Sequence, residues 1–172
     1  MLPHARGRVL DAGCGTGLLL QRLADSGQTV GLDLSLDMLA KASRRQRERG
    51  FEAPLVCGDI QHLPFREGAF ESVVSTFAIN AVPRLDQALA EMLRVTEGGG
   101  SLSFISVGES ERGGLATRMA AGLWRRDGDI IRDEVSALRQ QGTEPRREDF
   151  GPCGTNHLIT VTKPREANPP RG

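Results

Sequence analysis

Val9-Leu10-Asp11-Ala12-Gly13-Cys14-Gly15-Thr16-Gly17 reads as a short apolar strand that runs into a glycine-rich turn and then into a helix. Open parallel sheets bind ligands outside the carboxyl ends of their strands, where strand order reverses, and a turn of this kind stands at that place. Its glycines let a ligand approach the backbone, and the N–H groups that open the next helix suit an anion. Dinucleotide-binding turns use the related spacing G-x-G-x-x-G, whereas Gly13, Gly15 and Gly17 alternate as G-x-G-x-G. Asp11, at the strand end, is awkward beside a pyrophosphate but suits a ligand that carries an ammonium and a sulfonium group.

Outward from this segment, short apolar runs alternate with helix-period segments, which predicts a parallel sheet covered by helices. Thr16 to Ser26 is expected as a helix with Leu19, Leu20, Leu23 and Ala24 on its buried side, and Thr29 to Leu34 as the second strand. Ser35 caps a second helix that runs to about Arg49, with Asp37 in its first turn and Gly50 as its stop. Pro54 to Cys57 is a third strand, and the Val-rich run Phe70 to Thr76 a fourth, central one. Leu85 to Val95 has helical spacing, and a turn at Gly98-Gly99-Gly100 leads into strand Leu102 to Val107. Further on, helices are expected over Leu115 to Trp124 and Ile130 to Gln140, and strands over Thr143 to Phe150 and Leu158 to Lys163. The whole is one α/β domain over residues 1–163, Rossmann-like and doubly wound. Its sheet is mostly parallel with helices on both faces and an antiparallel last strand, and the Pro-rich tail 164–172 is expected to be disordered.

The 22 basic and 22 acidic side chains cancel, which removes the electrostatic footprint on which nucleic-acid binding depends. No apolar run reaches the ~20 residues that a membrane-spanning helix needs, and the first residues lack the charged and apolar parts of a signal peptide. Cys14, Cys57 and Cys153 are odd in number and lack a C-x-x-C pair, so neither a disulfide framework nor a metal site is expected. A cytoplasmic location follows as the expectation.

Asp33, at the end of the second strand, is placed to accept hydrogen bonds from both hydroxyls of a ribose, a role that suits NAD equally well. Gly58-Asp59-Ile60 follows the third strand, where a small carboxylate beside an apolar residue suits an adenine amino group and ring. Together these segments resemble the class I S-adenosylmethionine-dependent methyltransferases, in the branch that includes the ubiquinone and menaquinone biosynthesis enzymes and many small-molecule methyltransferases. Val9 to Gly17 is similar to that family's first motif, Val30 to Ser35 to its second, and Gly58 to Phe65 to its adenine loop. The resemblance implies S-adenosylmethionine as cofactor and a small-molecule acceptor. Asp11, Gly13 and Gly15 would hold the methionine part, Asp33 the ribose, and Met38, Asp59 and Ile60 the adenine, with Cys14, Gly17, Leu34 and Gly58 also at the cofactor site. Ser75, Thr76 and Phe77 would form the wall near the sulfonium.

Some positions depart from the family pattern. Gly98 stands where a proline is usual, Ala81 where many relatives have a histidine, and Thr143 where an aromatic is expected. Only eight residues precede the first motif, so the cover that relatives build from N-terminal helices is expected to be missing, or to come from a second copy or a partner. The bland readings of other candidates are that His62 is solvent-exposed, Asn80 stabilises a turn, and Cys14 packs. Lys41, Arg44, Arg45, Arg47 and Arg49 read as a solvated helix face, and His4 and His157 as structural or exposed. Met119 and Trp124 are divided between core and acceptor pocket. A non-catalytic binding module and an NAD-dependent oxidoreductase stay open as other classes.

Overall fold

The computed structural model describes residues 5–24, 28–107, 133–151 and 155–165. Strands β1 (Val9–Ala12), β2 (Thr29–Asp33), β3 (Leu55–Cys57), β4 (Phe70–Thr76), β5 (Thr96–Val107), β6 (Arg146–Phe150) and β7 (Asn156–Thr162) form one seven-stranded sheet in the order β3-β2-β1-β4-β5-β7-β6. The first five pair in parallel; β7 is antiparallel to both β5 and β6. The chain runs outward from β1 to β3 and returns to β4, so strand order reverses between β1 and β4. Their carboxyl ends are therefore the place where this architecture opens a ligand crevice. The doubly wound, mostly parallel arrangement agrees with the expectation from the sequence.

Helices α1 (Leu18–Leu23) and α2 (Leu36–Arg49) cover one face; α3 (Leu85–Val95) and α4 (Glu134–Gln140) cover the other. The larger core joins Leu89, Met92 and Leu138 from the helices to Leu10, Val73, Phe104 and Ile159 from the sheet, all fully buried. On the opposite face Cys14, Leu20, Leu39 and Ala53 form a second cluster, and Val9, Leu23 and Val74 a third.

Several boundaries differ from the expected ones for local physical reasons. Helix α1 begins at Leu18 because Gly15 and Gly17 hold positive φ angles of 52° and 74°, which a helix cannot include. Strand β5 begins at Thr96: Phe70 pairs with Thr96 and Ser72 with Ser101, so Glu97 to Gly100 bulge out of the ladder instead of forming a separate turn. The bulge is tied to the end of β7, where the Gly99 N–H donates to the Lys163 carbonyl and the Lys163 N–H to that of Gly100. Thr143 is not in β6, since its hydroxyl donates to the Leu138 carbonyl at 2.8 Å and closes the end of α4. Helix α4 starts at Glu134, where the Asp133 side chain accepts from the Ser136 N–H. The helix expected over Leu115 to Trp124, with Met119 and Trp124, lies outside the described residues, as does the tail beyond Arg165.

Candidate functional site at the carboxyl edge

Asp11, the third residue of β1, has its side chain fully buried, and neither carboxylate oxygen has a hydrogen-bond partner among the described residues. Burial, with the charge of Asp33 second, pushes this carboxyl up to about 7. An ionisable group left so at a strand end is costly unless something binds there.

The glycine turn is locked from both sides. The Gly15 N–H donates to Asp33 Oδ2 at 2.8 Å, and the Ser35 N–H to Asp33 Oδ1 at 2.9 Å. Arg45 reaches back from α2, its Nε donating to the Thr16 carbonyl at 2.9 Å. Its long-range partner is invisible in a run of basic residues that reads as a solvated face. The Gly13 and Cys14 N–H groups both donate to the Leu32 carbonyl, and that of Gly17 to Cys14. These four amides of the turn are thus spent within the protein, which leaves the N–H groups that open α1 as the donors this segment could offer to an anion. A pyrophosphate would meet a buried carboxylate and no donors from these four amides, which disfavours a dinucleotide.

Gly13 is packed tightly, since a Cβ there would come within 2.2 Å of the Ala78 Cβ; Gly15 faces open space, with nothing within 4 Å of such a Cβ. Cys14 is buried, and burial together with Asp11 and Asp33 pushes its thiol up to about 12. It is a packing residue. Leu34 follows β2 and is 70% exposed; Met38 is half-buried, its N–H donating to the Ser35 hydroxyl.

Across the crevice, Asp59 caps a short 3-10 turn (Ile60–His62) by accepting from the Gln61 N–H at 2.8 Å. That bond, opposed by partial burial, holds its carboxyl below the usual range. Ile60 is buried beneath Gly13 instead of standing open, and His62 is exposed. Gly58 extends the β2–β3 pairing, its N–H donating to the Asp33 carbonyl. The loop is held from α3: the Leu63 N–H donates to Glu91 Oε2, and Arg94 donates to the carbonyls of Leu63 and Phe65 and to Glu91. A Glu and an Arg three apart on the polar side of α3 are a signal legible in the sequence, while their partners in the loop are not. Glu91→Ala is expected to cost on the order of 2–3 kcal/mol by stranding Arg94 and the Leu63 N–H. Thermal unfolding should show Tm lower by roughly 4–12 °C; a Tm within a degree of the native protein would contradict this role.

At the end of β4, the Ser75 hydroxyl is fully buried without a partner among the described residues, Thr76 is half-buried, and Phe77 is 51% exposed. Phe77 holds φ at 60°, the one positive value among the described non-glycine residues, with its N–H on the Ile105 carbonyl. The left-handed backbone thus presents an aromatic ring to solvent at a strand end. Asn80 bonds both the N–H and the carbonyl of Val107, so it fastens the end of β5. Asp11, Asp33, the glycine turn, Leu34, Met38, Asp59 and the segment Ser75 to Phe77 thus all stand at the carboxyl ends of β1 to β4.

The sheet order, the buried acid of β1 and the glycine turn bound by the acid of β2 define a nucleotide-type crevice in which a carboxylate stands beside the turn. Residues 10–104 match the methyltransferase-domain family, and the chain belongs to that family, whose cofactor is S-adenosylmethionine. It is 43% identical over 96 residues to a demethylmenaquinone methyltransferase of Renibacterium salmoninarum, covering 55% of this chain and 39% of that protein. It is 35% identical over 144 residues to a phosphatidylethanolamine N-methyltransferase of Cereibacter sphaeroides, covering 83% and 70%. The chain therefore spans about two fifths of the first relative's length and seven tenths of the second's. Its fold is similar to that of the YcgJ protein from Bacillus subtilis, with a TM-score of 0.80, 16% identity, and coverage of 95% and 94%. No described helix is long and apolar enough to cross a membrane, and no group of three or more candidate metal ligands occurs among the described residues.

Proposed function

We propose that this chain binds S-adenosylmethionine at the carboxyl ends of β1, β2 and β4 and transfers its methyl group to a small-molecule acceptor. The observation that carries this reading is Asp11, a buried carboxylate with two unpartnered oxygens beside an open glycine turn. Its position fits a ligand whose end is cationic. When bound, the cofactor supplies an electrophilic methyl on a sulfonium, which departs as a neutral thioether.

The chain's own residues then have positioning tasks. Asp11 faces the cationic end. Gly15 leaves room for the ligand, and Asp33 and Arg45 fix the turn that surrounds it. Leu34 and Met38 offer an apolar wall for the adenine, and Asp59 a carboxylate at the opposite side of the crevice. Phe77 stands where the acceptor would approach and excludes water from the reacting atoms. In-line methyl transfer gains most from alignment, so no proton-transferring group is required beside the sulfonium.

Asp11 also sets a pH dependence. Its folded pKa of about 7 lies above the ordinary 3.8, so the folded chain holds the extra proton between these values. Stability therefore falls from about pH 4 to about pH 7 and is level above. A cationic ligand favours the carboxylate, so affinity for S-adenosylmethionine should rise roughly tenfold from pH 6 to pH 8. Asp11→Asn should flatten both profiles. A native affinity that does not change with pH would remove Asp11 from this role. Transfer itself is tested with methyl-labelled cofactor and a panel of amines, phenols, quinols and acids; saturable binding with no labelled product in any arm would contradict catalysis.

A further inference from the structure

On the α3 and α4 face, the apolar columns of the sheet end in a polar row at the carboxyl edge. Ser106 of β5 stands opposite His157 of β7, and His157 opposite Asp149 of β6. Ser75 of β4 pairs with Phe104, one pleat below Ser106. The row is closed by Glu134 from the first turn of α4, and Ser75, Ser106, His157 and Glu134 are all buried.

Hydrogen bonding fixes the charge state of this row. Asp149 Oδ1 accepts from Arg147 Nε at 2.8 Å and lies 2.8 Å from His157 Nδ1, so the proton of the imidazole sits on Nδ1. Arg147 Nη2 is 3.3 Å from His157 Nε2, and since a guanidinium only donates, the contact suits an Nε2 that accepts. The Asp149 carboxyl is held at about 2, because the bonds from Arg147 and His157 outweigh burial. Its charge is matched by Arg147. Burial pushes the Glu134 carboxyl the other way, toward its neutral form, against the pull of Ser106, His157 and Arg147.

Within this satisfied array two hydroxyls are left over. Ser75 Oγ and Ser106 Oγ have no hydrogen-bond partner among the described residues, although Ser106 lies near enough to Glu134 to pull its carboxyl down. Buried hydroxyls are ordinarily paired, and two without a partner on adjacent strands, near Thr76, Phe77 and Val107, suit a polar ligand at this edge.

We propose that Ser75 and Ser106, backed by the neutral His157–Asp149–Arg147 array, are the polar end of the acceptor pocket, and that the acceptor is an uncharged molecule with a hydroxyl or carbonyl oxygen. This rests on the methyltransferase reading of the same edge. A phosphate or carboxylate would need a cation that is not already matched, and Arg147 is matched by Asp149. An ammonium would need an unmatched carboxylate, and Asp149 is committed while Glu134 is pushed toward neutrality. A serine hydroxyl both donates and accepts, which suits an uncharged oxygen of either kind.

The test uses the full chain saturated with S-adenosylhomocysteine, His157 ring nitrogens followed by 15N NMR, and affinities read by calorimetry. The probes are hydroquinone, benzyl alcohol and cyclohexanone as neutral ligands, phosphoethanolamine as a zwitterion and hexanoate as an anion. At least one neutral probe is expected to bind and move the His157 signals, and Ser106→Ala to weaken it roughly fivefold. The same variant should keep its affinity for the cofactor and unfold within about 2 °C of the native protein or above it, because it removes an unpaired hydroxyl. Failure of every neutral probe, Ser106-dependent binding of phosphoethanolamine or hexanoate, or a large loss of Tm in Ser106→Ala would each overturn the proposal. A chain that does not bind S-adenosylhomocysteine would instead overturn the methyltransferase reading on which the proposal rests.

Discussion

Asp33→Ala is expected to weaken binding of S-adenosylmethionine by about two to four powers of ten, from the loss of two charge-assisted hydrogen bonds at about 1.5–3 kcal/mol each. One carboxylate joins the glycine turn, through the Gly15 N–H, to the start of α2, through the Ser35 N–H. Without it both amides lose their partner, and the crevice between β1 and β2 loses its shape before any contact with a ribose is counted. Asp33→Asn should fall between, since its amide keeps one acceptor oxygen and repels one of the two donors. Calorimetry would read both variants, with circular dichroism to confirm the fold. A variant Asp33→Ala that binds within a factor of three of the native chain would contradict the role given to this residue.

The two glycines of the turn should separate stability from binding. Gly13 holds φ at 79°, and an added Cβ would meet the Ala78 Cβ at 2.2 Å. Gly13→Ala combines a left-handed residue, about 1–2 kcal/mol, with overpacking of about 1–3 kcal/mol. Its Tm is expected to fall by roughly 5–15 °C. Gly15 holds φ at 52°, yet its Cβ would meet nothing within 4 Å, so Gly15→Ala pays the backbone term alone. Its methyl points into the space assigned to the ligand, so cofactor affinity should drop at least tenfold while Tm changes by a few degrees. Equal losses of Tm in the two variants would contradict this division of labour.

How much of this was legible in the sequence depended on whether the deciding interactions are local. Strand β4 and helix α3 occupy the residues expected, Phe70–Thr76 and Leu85–Val95, because an unbroken apolar run and a helical stripe each carry their own signal. Helix α2 is bounded by the expected Ser35 and Gly50, whose capping is written in single residues. The start of β5 was not legible, since the bulge at Glu97 to Gly100 exists through pairing with Lys163, more than sixty positions away. Thr143 looked like strand but is taken by the end of α4.

The same distinction holds at the site. Asp11, Asp33 and the glycines announce themselves by type and spacing. Arg45, Glu91 and Arg94 do not, because their partners lie in the glycine turn and in the loop that holds Leu63 and Phe65, roughly thirty positions away. His157 has no local motif at all and acquires Asp149, Arg147 and Ser106 as neighbours only through the antiparallel pairing of the last strands. Nor does a sequence show that the amides of Gly13, Cys14, Gly15 and Gly17 are already spent on partners within the protein.

If the edge between β1 and β4 receives S-adenosylmethionine and not a dinucleotide, calorimetric titration of the native chain with S-adenosylmethionine, S-adenosylhomocysteine and NADH in parallel will separate them. Saturable binding of the first two is expected, with dissociation constants in the micromolar range, and no heat from NADH. Binding of NADH with neither of the other two, or no binding by any of them, would contradict this reading.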